Sequence, residues 1–93
     1  MEWGRGSVPR VSEFYGIAIQ MFYREHDPPH FHAEYAGSHA QIRIDPVEIM
    51  SGNLPTRARR LVFEWANMHR GELAENWSRA RRGQPLARIE PLD

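Results

Sequence analysis

The 93-residue chain contains no cysteine, and all twelve of its basic residues are arginine, so it also contains no lysine. The absence of cysteine excludes disulfides and thiolate-bound zinc, and leaves neutral imidazole and carboxylate as the metal donors. Formal net charge is zero, so no global field draws the chain to nucleic acid or to anionic lipid. No segment approaches the roughly 20 consecutive apolar residues that span a bilayer. The opening stretch Met1-Glu2-Trp3-Gly4-Arg5-Gly6-Ser7 carries no apolar run of signal-peptide type. The cytoplasm is therefore the expected compartment, with no membrane partner. The arginine-only usage has a bland cause in a GC-rich genome, although arginine also suits bidentate contacts to phosphate and carboxylate. A 41% hydrophobic content with ten aromatic side chains suffices for the core of one small domain.

The hydrophobic pattern orders the chain. Residues 1–8 show no periodicity and are predicted as a flexible N-terminal extension before a single domain over 9–93. Ser12 to Tyr23 reads as one strand, with Ile17, Ile19, Met21 and Tyr23 alternating against Ala18, Gln20 and Phe22. Gly16 lies inside it and marks a bulge or a close backbone contact. A turn over Arg24–Pro29 leads to a strand at His30–Tyr35. Ala36-Gly37-Ser38 closes a hairpin to a strand at His39–Asp45, and Val47–Met50 is a short edge strand. The period then changes. Pro55 or Thr56 opens a helix to about His69, with Ala58, Leu61, Val62, Trp65, Met68 and His69 as its apolar stripe. A second helix spans about Glu72–Arg82, stopped by Gly83 and Pro85. The tail carries Leu86, Ile89 and Leu92 and is expected to fold back on the core. Strands followed by helices predict an α+β domain, an antiparallel sheet of three to four strands followed by two helices packed on one face. The other face is left to solvent, a ligand or a partner.

The richest segment is His26-Asp27-Pro28-Pro29-His30-Phe31-His32-Ala33-Glu34, which holds three of the five histidines. On a strand, His30, His32 and Glu34 share one face, and Phe31, Ala33 and Tyr35 share the other. His30 and His32 can reach one ion, Glu34 can ligate or act as base, His26 can swing in from the turn, and His39 comes near His32 in a tight hairpin. The candidate ligands of a divalent transition metal, zinc or nickel first, are therefore His26, His30, His32 and Glu34. The candidate catalytic groups are His26, His30 and His32, since imidazoles titrating near neutrality also serve metal-free phosphodiester cleavage. Against both stands a plainer reading, in which the segment is the polar side of a half-buried strand and a turn. Asp27 reads as a turn residue.

Arg57, Arg59 and Arg60 crowd the first turn of the first helix, where cations oppose the helix dipole. They are the candidate anion-binding residues. The plainer alternative is a solvated face with Arg60 paired to Glu64. Trp65 and Trp77 lie on apolar stripes and read as core.

Several strings together resemble a bacterial family, domain of unknown function 4160. They are Phe14-Tyr15-Gly16-Ile17, the His-x-Pro-Pro-His-Phe-His run at 26–32, Gly52-Asn53-Leu54-Pro55, Trp65-Ala66, Glu72-Leu73, Asn76-Trp77 and Ile89-Glu90-Pro91-Leu92. The likeness covers about residues 9–92, and Gly71 departs from the acidic residue expected there. The resemblance carries no catalytic residues. It implies a non-enzymatic protein-interaction component of a two-gene, toxin–antitoxin-like or regulatory module, with a small protein partner encoded nearby. The alternative carried by the residues themselves is a small histidine-dependent hydrolase or ribonuclease, with or without a bound metal, with Arg57, Arg59 or Arg60 holding phosphate. Direct nucleic-acid binding is the weakest reading, given zero net charge and no recognisable motif.

Overall fold

The computed structural model describes residues 9–93, and the proposed extension over residues 1–8 lies outside the described residues. Five strands come first: β1 (Arg10–Phe14), β2 (Ile17–Gln20), β3 (His30–Tyr35), β4 (Ser38–Ile44) and β5 (Val47–Gly52). Two helices follow, α1 (Thr56–Met68) and α2 (Arg70–Arg81). The sheet is a meander in the order β1-β2-β3-β4-β5, with every neighbouring pair antiparallel. The α+β expectation holds, but the sheet has five strands rather than three to four.

The extra strand comes from splitting the long first strand predicted over Ser12–Tyr23. Tyr15 and Gly16 adopt φ of 52° and 77° and form a tight turn, so that Phe14 pairs with Ile17. Two successive residues with positive φ match the right-handed twist of the strands they join. Gly16 is thus a hairpin residue rather than a bulge. The predicted Ala36-Gly37 turn is of the same kind, with φ of 49° and 86°, and joins β3 to β4.

Cross-strand pairs divide the sheet into two faces, because directly opposed residues project together. Phe31 opposes Ile42, Ala33 opposes both Ile19 and Ala40, and Ile42 opposes Ile49, which makes one face apolar. The helices supply its cover. Fully buried Trp65 of α1 lies 5.4 Å from Phe14 and 6.0 Å from Phe31 between ring centroids, while Leu73, Trp77 and Ala80 of α2 join the same cluster. Burying these aromatic rings is worth several kcal/mol of transfer free energy, which explains why α1 lies where it does.

The tail does fold back. Ile89 is buried and its N–H donates to the Val11 carbonyl at 2.8 Å. Buried Asn76 of α2 reaches the tail twice, donating to the Ala87 carbonyl at 2.8 Å and accepting from the Ala87 N–H at 2.9 Å. Trp65 donates from Nε1 to the Glu90 carbonyl at 2.7 Å. Each contact satisfies a polar group that burial would otherwise leave at a cost of about 1–3 kcal/mol.

Candidate metal centre

The opposite face of the sheet is polar. His30 opposes Arg43, His32 lies between Gln20 and Gln41, and Glu34 opposes His39. The strand register thus places His30, His32 and Glu34 on one face, as the alternation predicts. Both histidines are nonetheless buried, His30 at 4% and His32 at 5% exposure. Phe22 and Glu25, in the nine-residue connection between β2 and β3 (residues 21–29), lie against them, and Trp77 of α2 packs on His30.

That connection supplies the third group of the site. The chain turns at Arg24, whose φ of 63° is uncommon outside glycine, and Glu25 follows directly. One carboxylate oxygen of Glu25, Oε1, lies 2.8 Å from His32 Nε2 and 3.1 Å from His30 Nε2. Glu25, His30 and His32 each present one donor atom, all within 4.8 Å of one another. Around a single ion, donors bonded at about 2.0–2.1 Å would stand roughly 3.0–3.4 Å apart, depending on the bond angle. The two carboxylate–imidazole distances come within a few tenths of an ångström of that spacing.

The outer nitrogens are held as well. His30 Nδ1 lies 2.8 Å from the Pro28 carbonyl, which can only accept, so Nδ1 carries the hydrogen. A neutral His30 therefore turns a bare Nε2 lone pair toward Glu25 Oε1, and two acceptors face each other. A cation between them, a proton or a metal ion, removes the conflict. His32 Nδ1 lies 3.0 Å from His39 Nε2. That pair admits two arrangements, with His39 donating while His32 Nε2–H bonds Glu25, or with His32 Nδ1–H donating to His39 and Nε2 bare. The second leaves His32 as a metal ligand. Outer hydrogen bonds of this kind fix tautomer and ring orientation in metal sites.

Aromatic rings pack both imidazoles. Phe22 meets His32 edge-on at 4.5 Å, and Trp77 lies 5.2 Å from His30. Burial lowers the pKa of His32 below its ordinary 6.5; the hydrogen bond and charge of Glu25 oppose this, and His30 and His39 add to the lowering. His32 is consequently a neutral base near pH 7, the form that binds metal.

Not every residue singled out in the sequence joins this cluster. His26 is exposed and lines a pocket beside Glu25 and His30. Glu34 is exposed and lies 3.4 Å from Gln20 Nε2, and the carboxylate of the centre comes from Glu25 instead. Asp27 is held by Arg81 at 3.1 Å, which ties the turn to the end of α2. Arg57, Arg59 and Arg60 are exposed on the first turns of α1. Arg57 lines a small pocket with Tyr15 and Tyr35, and Tyr35 ends the strand that His30 begins. Five residues of strand separate those ends, about 16 Å, and none of the three helix arginines lines the pocket at Glu25 and His30. Glu25 carried no signal in strand alternation because it sits in a loop. Its cue is its place midway along a connection that must arch back over β3.

Fold and site together define a small α+β domain with a Glu–His–His cluster between its sheet and a covering loop. The family model described as domain of unknown function (DUF4160) matches residues 16–78, more than half of the chain, and the chain belongs to that family. The matched segment contains the three clustered residues together with His39, Trp65, Asn76 and Trp77. Neither a curated protein nor a solved structure matches the chain. No helix among the described residues is long and apolar enough to cross a membrane.

Proposed function

We propose that the protein binds a divalent transition metal, zinc or nickel, through Glu25, His30 and His32, and that it uses this centre as a small metal-dependent hydrolase. One observation carries the reading: both Nε2 atoms converge on one Glu25 oxygen while His30 Nδ1 is committed to a backbone carbonyl. Two imidazoles and one carboxylate form the protein donor set of catalytic zinc and of non-haem iron sites, in which solvent or substrate completes the coordination. A bound divalent ion lowers the pKa of its water toward neutrality, which supplies a nucleophile at physiological pH. His26, exposed on the wall of the adjoining pocket, is the candidate for proton transfer.

Metal content of tag-free protein after dialysis, measured by elemental mass spectrometry, tests this directly. Near-stoichiometric metal in the wild type, lost in Glu25→Ala and in the His30→Ala, His32→Ala double variant, is the expected result. Folded wild type that takes up neither zinc nor nickel when offered them would sink the reading.

The interaction-module reading has one structural support of its own. Among the described residues, β5 ends the sheet with no strand beside it, and Ile49 and Met50 remain partly exposed. A strand edge of this kind can accept a strand from a partner chain. Co-expression with the product of the neighbouring gene, followed by gel filtration, is the corresponding test, and separate elution of the two proteins would remove it.

A further inference from the structure

Two members of the centre, Glu25 and His30, also line a pocket of about 390 Å³, so the centre borders a space of small-molecule size. Its remaining polar walls are Arg24, His26, Asp27 and Gln41. The charges on those walls do not cancel. Asp27 is neutralised by Arg81 at 3.1 Å, outside the wall. The Glu25 carboxylate is turned to His30 and His32. Among the described residues Arg24 pairs with no carboxylate. Its backbone is held at a φ of 63°, in a region that non-glycine residues enter mainly where the surrounding structure imposes it. A divalent ion on Glu25 would leave one positive charge at the centre, and Arg24 adds a second on the pocket wall.

From this charge balance we infer that the pocket takes a phosphoryl group, with one oxygen on the metal and others on the Arg24 guanidinium. A doubly charged phosphate monoester matches the two positive charges, and the guanidinium fork matches adjacent phosphoryl oxygens. Gln41, opposite His32 in the sheet, adds a neutral amide donor to the wall. The arginine that serves this anion comes from the loop carrying Glu25, and not from the start of α1. The inference rests on the metal reading and specifies its substrate class.

The test uses the full chain loaded with zinc and titrated calorimetrically with inorganic phosphate. Wild type and Arg24→Asn are compared, since asparagine tolerates positive φ and keeps the turn. Phosphate should bind zinc-loaded wild type, and bind about ten- to hundred-fold more weakly to Arg24→Asn, the loss expected when charge-assisted hydrogen bonds disappear. Zinc affinity should stay the same, and Arg24→Lys should recover part of the phosphate affinity. Cobalt-loaded wild type gives a readout that needs no variant, because the phosphorus resonance of phosphate on the ion should broaden strongly. Wild type that takes zinc but does not bind phosphate, or Arg24→Asn that binds it equally well, overturns the inference and leaves the metal centre standing. Wild type that takes no metal overturns the proposed function itself.

Discussion

His39 offers the sharpest separation between a metal centre and a merely structural histidine cluster. It is exposed near the start of β4, where its Nε2 lies 3.0 Å from His32 Nδ1 and its ring packs 5.1 Å from the His32 ring. If His32 is a ligand through Nε2, His39 keeps the hydrogen on Nδ1 and the ring in its orientation. Removing such an outer partner typically weakens metal binding about 10- to 100-fold, or about 1.4–2.7 kcal/mol at 25 °C. If the cluster is structural only, His39→Ala removes one part-buried hydrogen bond, worth about 0.5–1.5 kcal/mol of folding stability, and the ring contact with His32.

The two accounts differ in which quantity moves. Zinc affinity is read by competition with a chromophoric chelator, and folding stability by urea melts of the chelated protein. Weaker zinc binding, with stability of the chelated protein lowered by no more than the worth of one hydrogen bond, about 0.5–1.5 kcal/mol, is the expected pair. His39→Gln retains a side-chain polar partner and should lie between wild type and alanine. Unchanged zinc affinity in His39→Ala would refute the reasoning, because His32 would then hold its orientation without help.

Two further outcomes follow from the packing and from the buried imidazole. Trp65 is fully buried against Phe14 and Phe31 and donates to the Glu90 carbonyl, so Trp65→Ala should cost about 3–5 kcal/mol in denaturant melts; a near-neutral result would mean that α1 does not cover the sheet through this ring. Chelated protein should also lose stability as pH falls below the ordinary histidine value of 6.5, because burial keeps the His32 pKa lower in the folded chain than in the unfolded one. The unfolded chain then binds the proton first, so the His32 contribution is complete above 6.5 and is lost as pH drops through the folded pKa, with a slope of at most about 1.4 kcal/mol per pH unit. Urea melts at stepped pH, with His32→Gln as control, read this directly, and identical slopes for the two proteins between pH 6.5 and 5.5 would contradict it.

Much of the fold is legible in local pattern. Alternation over His30–Tyr35, the Ala36-Gly37 turn and the apolar stripe through Ala58, Val62 and Trp65 each report structure within a few residues, and each is found where the pattern places it. Met68, read into that stripe at the last turn of α1, is instead 64% exposed. The error in strand number arises because Tyr15 occupies a left-handed turn position at φ 52°. An aromatic residue there reads as strand, and only tertiary context selects the turn; Gly16 alone hints at it.

The site divides along the same line. His30 and His32 are visible because a strand's period is local, while Glu25 owes its place to the path of a nine-residue loop, which no periodicity encodes. Glu34 has the right chemistry, but it is exposed and lies beside Gln20. Glu25 comes from the covering segment, where one oxygen can face both Nε2 atoms at once. This division has a physical consequence for the proposed centre. Two donors ride on the rigid sheet and the third rides on a loop tethered by the Asp27–Arg81 pair and by Tyr23, which donates to the Gln84 carbonyl at 3.1 Å. A metal ion bound by all three would fasten the loop to the sheet, so binding energy would appear partly as ordering of residues 21–29 and not only as bonds to the ion.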